Sequence, residues 1–266
     1  MKKILFLIVS LTFCVISAAE VKLPEKSKFK IVLLIGQSNM AGRGFVEEQD
    51  KIPHPRVLML DKNGKWIPAV DPVHFDKRTA GVGLGRTFAN LLAEEDKNCV
   101  VGLVPAACGG SSLRHWKPGV YFKGTKSHPY DDAVSRAKLA MKNGTLTAIL
   151  FHQGESDSRR SKFYYRELSD LINALRTELN AGNVPFIIGQ LSCVVPMNSK
   201  KLEVDAAHRK CARENQPAGF VSSKGLTLNP DKIHFDRKSL IEFGNRYYKI
   251  YSEIIRSNKN ENNSIR

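Results

Sequence analysis

Residues 29–35 form an almost unbroken apolar run, the pattern of a strand buried on both faces. Runs at 99–104, 146–151 and 184–191 repeat it, a shorter one stands at 218–222, and 56–60 offers a further short candidate. Between them the apolar positions change to helical spacing. This predicts helices over 84–95, where Phe88, Leu91 and Leu92 share a face, and over 131–142, closed by Asn143-Gly144. It also predicts helices over 163–179, 202–214 and 238–256, followed by a polar, frayed tail over 258–266. Strands and helices in strict alternation predict an α/β fold. It is a three-layer α/β/α sandwich around a central parallel sheet of about five strands. No repeat or linker divides it, so a single domain is expected over 20–257. Ligands of such folds sit beyond the carboxyl ends of the strands, which directs attention to the residues there.

The first segment has a different pattern. Lys2 and Lys3 precede an apolar run over 4–16 and the small residues Ser17-Ala18-Ala19. This reads as a secretory signal peptide over 1–19, and the run is shorter than the roughly 20 residues of a membrane span. Bulky Phe13 before Cys14 argues against a lipoprotein. The expectation is a secreted or periplasmic protein with no stable membrane anchor after cleavage. Four cysteines then remain, Cys99, Cys108, Cys193 and Cys211. An oxidising compartment allows them two disulfides in three connectivities, and buried free thiols are the alternative. There is neither a C-x-x-C pair nor an H-E-x-x-H run, so neither metal nor cofactor is expected.

Composition changes the picture only through charge. The chain of 266 residues is 42% hydrophobic and 25% charged, ample for a folded core, but its net charge is +15. That excess invites an anionic partner, whether nucleic acid, an anionic membrane face or an acidic polymer. The Lys and Arg residues are scattered, with no aromatic-interleaved stripe, so no nucleic acid is expected. Gly119-to-Lys126 lacks the Gly-Lys-Ser/Thr ending of a P-loop, and Gly81, Gly83 and Gly85 are wrongly spaced for a dinucleotide fingerprint. Those glycines read as a turn before a helix.

The chemistry collects after the strands. There stand Gly36-Gln37-Ser38-Asn39-Met40, Cys108-Gly109-Gly110-Ser111, His152-Gln153-Gly154-Glu155-Ser156-Asp157 and Asp231-Lys232-Ile233-His234-Phe235. They supply a hydroxyl nucleophile, a base, acids and a glycine loop at one sheet edge. Serine ester cleavage needs a base within reach of the hydroxyl and a third group to orient that base. Ser38 and His234 fit the first two roles, and Asp231, three residues before His234, fits the third. Oxyanion donors would come from the Ser38 amide, the Gly109 or Gly110 amide, and the Gln153 side chain.

These motifs, with Gly81-Val82-Gly83-Leu84-Gly85 and Phe88-Ala89, occur in an order that resembles the SGNH hydrolases. The resemblance is to the sialate O-acetylesterase and acetylxylan esterase branch, carbohydrate esterase family six. It covers most of the chain and implies the flavodoxin-like fold of that superfamily and removal of O-acetyl groups from an acetylated oligo- or polysaccharide. It implies Ser38 as nucleophile and His234 as base, and puts Gln153 where other branches have asparagine. It also makes Glu155 a rival to Asp231 for orienting His234, and both stay open.

Asn39, next to the nucleophile, and Trp116 are candidates for substrate contact. Trp116 reads equally as a sugar platform or a buried loop anchor. Gln153 has the alternative of tying loops together, Asp157 that of capping the following segment, and Cys108 that of a buried thiol. Two other functions stay in view. One is a non-catalytic binder of acidic polysaccharide or nucleic acid, the other a lipase or thioesterase of the same superfamily. The identity of the sugar and the oligomeric state are not legible.

Overall fold

The computed structural model describes residues 21–194 and 198–264, so the expected leader over 1–19 lies outside the described residues. At the centre of the sheet is β1 (Phe29–Gly36), paired in parallel with β4 (Val100–Pro105) on one side and β5 (Thr145–His152) on the other. Outward lie β2 (Val57–Leu60) and β3 (Trp66–Pro68) beyond β4, and β6 (Phe186–Gly189) and β7 (Ala218–Val221) beyond β5. The order is β3-β2-β4-β1-β5-β6-β7, parallel throughout except for β3, which runs antiparallel to β2.

Alternate side chains of β1 feed two cores, as the period of a strand requires. Ile31, Leu33 and Ile35 face one, where they meet α3 (Pro129–Met141), α4 (Ser161–Glu178) and α5 (Ser199–Glu214) through Ala137, Leu171 and Cys211. Val32 and Leu34 face the other, with Phe88 of α2 (Leu84–Glu95) and Phe243 and Tyr247 of α6 (Arg237–Ser264). A sheet with helices on both faces is the expected sandwich.

Among the described residues the sheet has seven strands, not about five. The additional edge strand β3 follows a turn in which the Asp61 carboxylate accepts the amides of Asn63 and Lys65 at 2.8 Å each. The C-terminal helix also runs further than predicted, through Ser264 and hence through most of the segment expected as a tail. The four cysteines are free thiols, buried at Cys99, Cys108 and Cys211 and exposed at Cys193, so the two-disulfide alternative does not apply. No helix among the described residues is long and apolar enough to cross a membrane.

Candidate active site

Strand β1 ends on Gly36 at φ 131°, and the chain turns at once into the one-turn helix α1 (Ser38–Ala41). A side chain at Gly36 would meet the His152 carbonyl oxygen at 2.1 Å, so glycine lets β1 and β5 close up beneath the serine. The Gln37 amide bonds the same carbonyl at 2.9 Å, and this pins the strand-to-helix turn that presents Ser38.

The histidine arrives from the far end of the chain. Asn229 and His234 close a tight loop, the Asn229 amide donating to the His234 carbonyl at 2.7 Å. Inside it Asp231 Oδ1 accepts the amides of Ile233 at 2.9 Å and His234 at 3.0 Å. The other carboxylate oxygen of Asp231 lies 2.6 Å from His234 Nδ1. With Nδ1–H donated there, Nε2 is the acceptor for the Ser38 hydroxyl, 2.9 Å away. Burial works against the charge of Asp231, but the His234 and Ile233 amides and the His234 ring hold its pKa down to about 2. The structure therefore brings Ser38, His234 and Asp231 into one chain of hydrogen bonds. A cavity of about 570 Å³ opens beside His234, between Phe45, Thr79 and Pro230.

Glu155 is elsewhere. Its Oε1 accepts from Asn39 Nδ2 at 2.6 Å and from His152 Nε2 at 3.3 Å, and not from His234. Burial pushes its pKa up, but His152 and the Asn39 amide outweigh that and leave it at about 2. Asn39 is 1% exposed and bound within the protein, so it does not face a substrate as expected. Trp116 is 2% exposed and donates from Nε1 to Ser111 Oγ at 2.9 Å, which makes it a loop anchor and not a sugar platform.

The expected oxyanion donors divide. The Gly109 amide is committed to Asp76 Oδ2 at 2.8 Å, and Arg43 pairs with the same oxygen at 3.1 Å. The Gln153 amide is buried and donates to Gln37 Oε1 at 3.2 Å, to the Ser111 carbonyl at 3.0 Å and to Asp157. It ties the loops after β1, β4 and β5, as the alternative reading had it. The amides of Ser38 and Gly110 donate to no protein acceptor among the described residues. Asp157 does not cap the segment after it. It accepts the Leu113 amide at 3.2 Å, at the first residue of the 3₁₀ turn Leu113–His115. Burial raises the Cys108 thiol pKa and leaves the group a neutral wall beside Ser127. Among the turn glycines, Gly83 is the N-cap of α2. Asp76 escaped the sequence reading because it belongs to no motif. Its only signal is an isolated acid in a short polar segment.

A family model described as carbohydrate esterase, sialic acid-specific acetylesterase, matches residues 28–253. The chain belongs to that family. This esterase is a carboxylic ester hydrolase by that membership. The esterase is 31% identical over 242 residues to the "Probable carbohydrate esterase" of Arabidopsis thaliana, covering 81% of this chain and 87% of the relative. An X-ray structure of an Arabidopsis thaliana protein superposes on the esterase with a TM-score of 0.74 at 28% identity, over 85% of this chain and 98% of that one. A carbohydrate acetylesterase from Xanthomonas citri shares the fold, with a TM-score of 0.65 at 17% identity, over 85% of this chain and 56% of that one.

Proposed function

We propose that the protein is a serine esterase that removes O-acetyl groups from carbohydrate through an acetyl-enzyme. The observation that carries this reading is His234 standing 2.9 Å from the Ser38 hydroxyl and 2.6 Å from the Asp231 carboxylate. The family and the acetylesterase named among the structural relatives supply the substrate class.

In this reading Ser38 Oγ attacks the acetyl carbonyl carbon while His234 Nε2 takes the hydroxyl proton. Asp231 holds the resulting imidazolium. The carbonyl oxygen, now negative, turns to the amides of Ser38 and Gly110, and a lost donor of this kind costs on the order of 3 kcal/mol. The bond from the acetyl carbon to the sugar oxygen then breaks, and His234 gives its proton to that departing oxygen, which leaves as a hydroxyl. Water, deprotonated by His234, then attacks the acetyl carbon, the bond to Ser38 Oγ breaks as His234 gives that proton to the serine oxygen, and acetate leaves. The leader-like sequence over 1–19 supports a working place outside the cytoplasm.

The test compares wild type with Ser38→Ala on a chromogenic acetyl ester and its longer acyl homologues, alongside acetate release from acetylated xylan oligomers and O-acetylated sialic acid. Loss of all turnover in the variant is expected, with the acetyl ester preferred. Equal rates would overturn the mechanism, and preference for long acyl chains would overturn the deacetylase reading.

A further inference from the structure

The most unusual polar arrangement that the proposed chemistry leaves unused surrounds Asn39. Its side chain makes three hydrogen bonds while it sits beside the nucleophile in the chain. Asn39 Oδ1 accepts the amide of Phe235 at 3.0 Å. Its Nδ2 donates to Glu155 Oε1 at 2.6 Å and, more weakly, to the Ile233 carbonyl at 3.4 Å. Ile233 and Phe235 are the two neighbours of His234. One side chain on the serine helix thus grips the backbone on both sides of the histidine, across 194 and 196 residues of sequence.

An amide gripping a loop in this way can rotate by half a turn and exchange donor for acceptor. Glu155 removes that freedom, because a carboxylate accepts and never donates. With Nδ2 fixed on Glu155, Oδ1 must face Phe235 N–H. Glu155 is fixed in turn by His152, whose ring is fully buried at the end of β5 and reaches Oε1 at 3.3 Å. Its side chain is 16% exposed, and it touches neither Ser38 nor His234 by hydrogen bond among the described residues.

We infer that Asn39 and Glu155 form a positioning pair, in which Glu155 orients Asn39 and Asn39 sets His234 at hydrogen-bond distance from Ser38. The inference rests on the reading of Ser38 and His234 as nucleophile and base. It assigns Glu155 a role that passes through another residue, in place of direct contact with the histidine. A misplacement of about 1 Å at a reacting group costs on the order of a hundredfold in rate. The pair therefore acts on kcat and leaves the binding of a small ester alone.

The experiment is a double-mutant cycle on the purified protein with a small chromogenic acetyl ester, using Asn39→Ala, Glu155→Ala and the double variant, with Glu155→Gln and Ser38→Ala alongside. Each single alanine variant is expected to lower kcat by roughly tenfold to a hundredfold with KM within about twofold. The double variant is expected to be no slower than Asn39→Ala, since Glu155 acts only through Asn39. Glu155→Gln keeps an Oε1 acceptor that the His152 Nε2–H can hold toward the Asn39 amide, and is expected within about threefold of wild type at every pH. Multiplying losses in the double variant would overturn the pairing, as would a rise in KM at constant kcat. A Glu155→Gln defect that matches Glu155→Ala would show that the charge itself is used and would overturn it too. If Asn39→Ala does not fold, Asn39→Ser replaces it in the cycle, because serine is too short to reach Glu155. Loss of activity in Ser38→Ala with none in the Asn39 variants would sink the positioning pair alone. Full activity in Ser38→Ala would sink the esterase mechanism beneath it.

Discussion

Asp231 and His234 meet at 2.6 Å between Oδ2 and Nδ1, and the two residues between them in sequence are wrapped so tightly that the same carboxylate also caps the His234 amide. The acid therefore holds both the ring and the backbone that carries it.

That double hold predicts the result of changing the acid. Asp231→Asn keeps an oxygen for the two backbone amides but offers the ring a donor as readily as an acceptor. The wrong tautomer then leaves a proton on Nε2, where Ser38 needs a lone pair. Turnover of a small acetyl ester is expected to fall by roughly two to four orders of magnitude, with little change in KM. Steady-state kinetics checks this. A loss under about threefold would remove Asp231 from the mechanism.

The pH dependence follows from the same carboxylates. Asp231 and Glu155 are both held at about 2, so each stays ionised through the range in which an esterase is assayed. Neither can carry the acid limb of the rate profile. The acid limb then belongs to a single proton-accepting base per active site. A plot of log kcat/KM between about pH 4 and 9 should fall on the acid side with unit slope. A slope of two would bring a second group into the limb and contradict this assignment.

The fold was legible where burial is written into composition. The run from Phe29 to Ile35 announces a strand buried on both faces, and Phe88 and Leu92 announce the inward face of α2. Strand β3 escaped because Trp66-Ile67-Pro68 is three residues long and ends in proline, although the turn Asp61-Lys62-Asn63-Gly64 before it was a usable signal. The last turns of α6 escaped because a polar helix end and a polar tail share one composition. Within the site, Ser38, His234 and Asp231 could be read because motif and local spacing carry them. The direction in which Asn39, Gln153 and Trp116 point could not. Asn39 answers to Glu155 and Phe235, 116 and 196 residues away, and Gln153 answers to Gln37 at 116. Partners so distant leave no trace in a local pattern.

Trp116 gives a prediction that separates anchor from platform. Its indole N–H donates to Ser111 Oγ, and neither residue is more than 2% exposed. Trp116→Phe removes the donor and part of a buried ring, and is expected to cost about 1–3 kcal/mol of stability. The KM for an acetylated oligosaccharide should stay within about twofold, because no face of the ring reaches the substrate. Denaturant unfolding and oligosaccharide kinetics on the same preparation check both halves. A raised KM at unchanged stability would restore the platform.

Asp157 predicts a stability effect with a definite sign. It is fully buried, and burial raises its pKa to about 6 against the opposing bonds from Gln153 and the Leu113 amide. In the unfolded chain an aspartate releases its proton near 3.9. Between those two values the folded state holds a proton that the unfolded state has given up, so this group makes stability fall as pH rises. Asp231 and Glu155, with lowered values, act in the opposite sense at lower pH, where stability grows as each loses its proton. The contribution of Asp157 is isolated by Asp157→Asn, which keeps an acceptor for the Leu113 amide and cannot ionise. The stability of wild type relative to the variant is expected to decline by up to about 3 kcal/mol between roughly pH 4 and 6.5, and to stay level above that. Denaturant midpoints of both proteins across this range measure the difference directly. A constant difference would mean that Asp157 ionises in the fold as it does in the open chain, and that the tie between Gln153 and the turn at Leu113 holds a charged carboxylate at no cost.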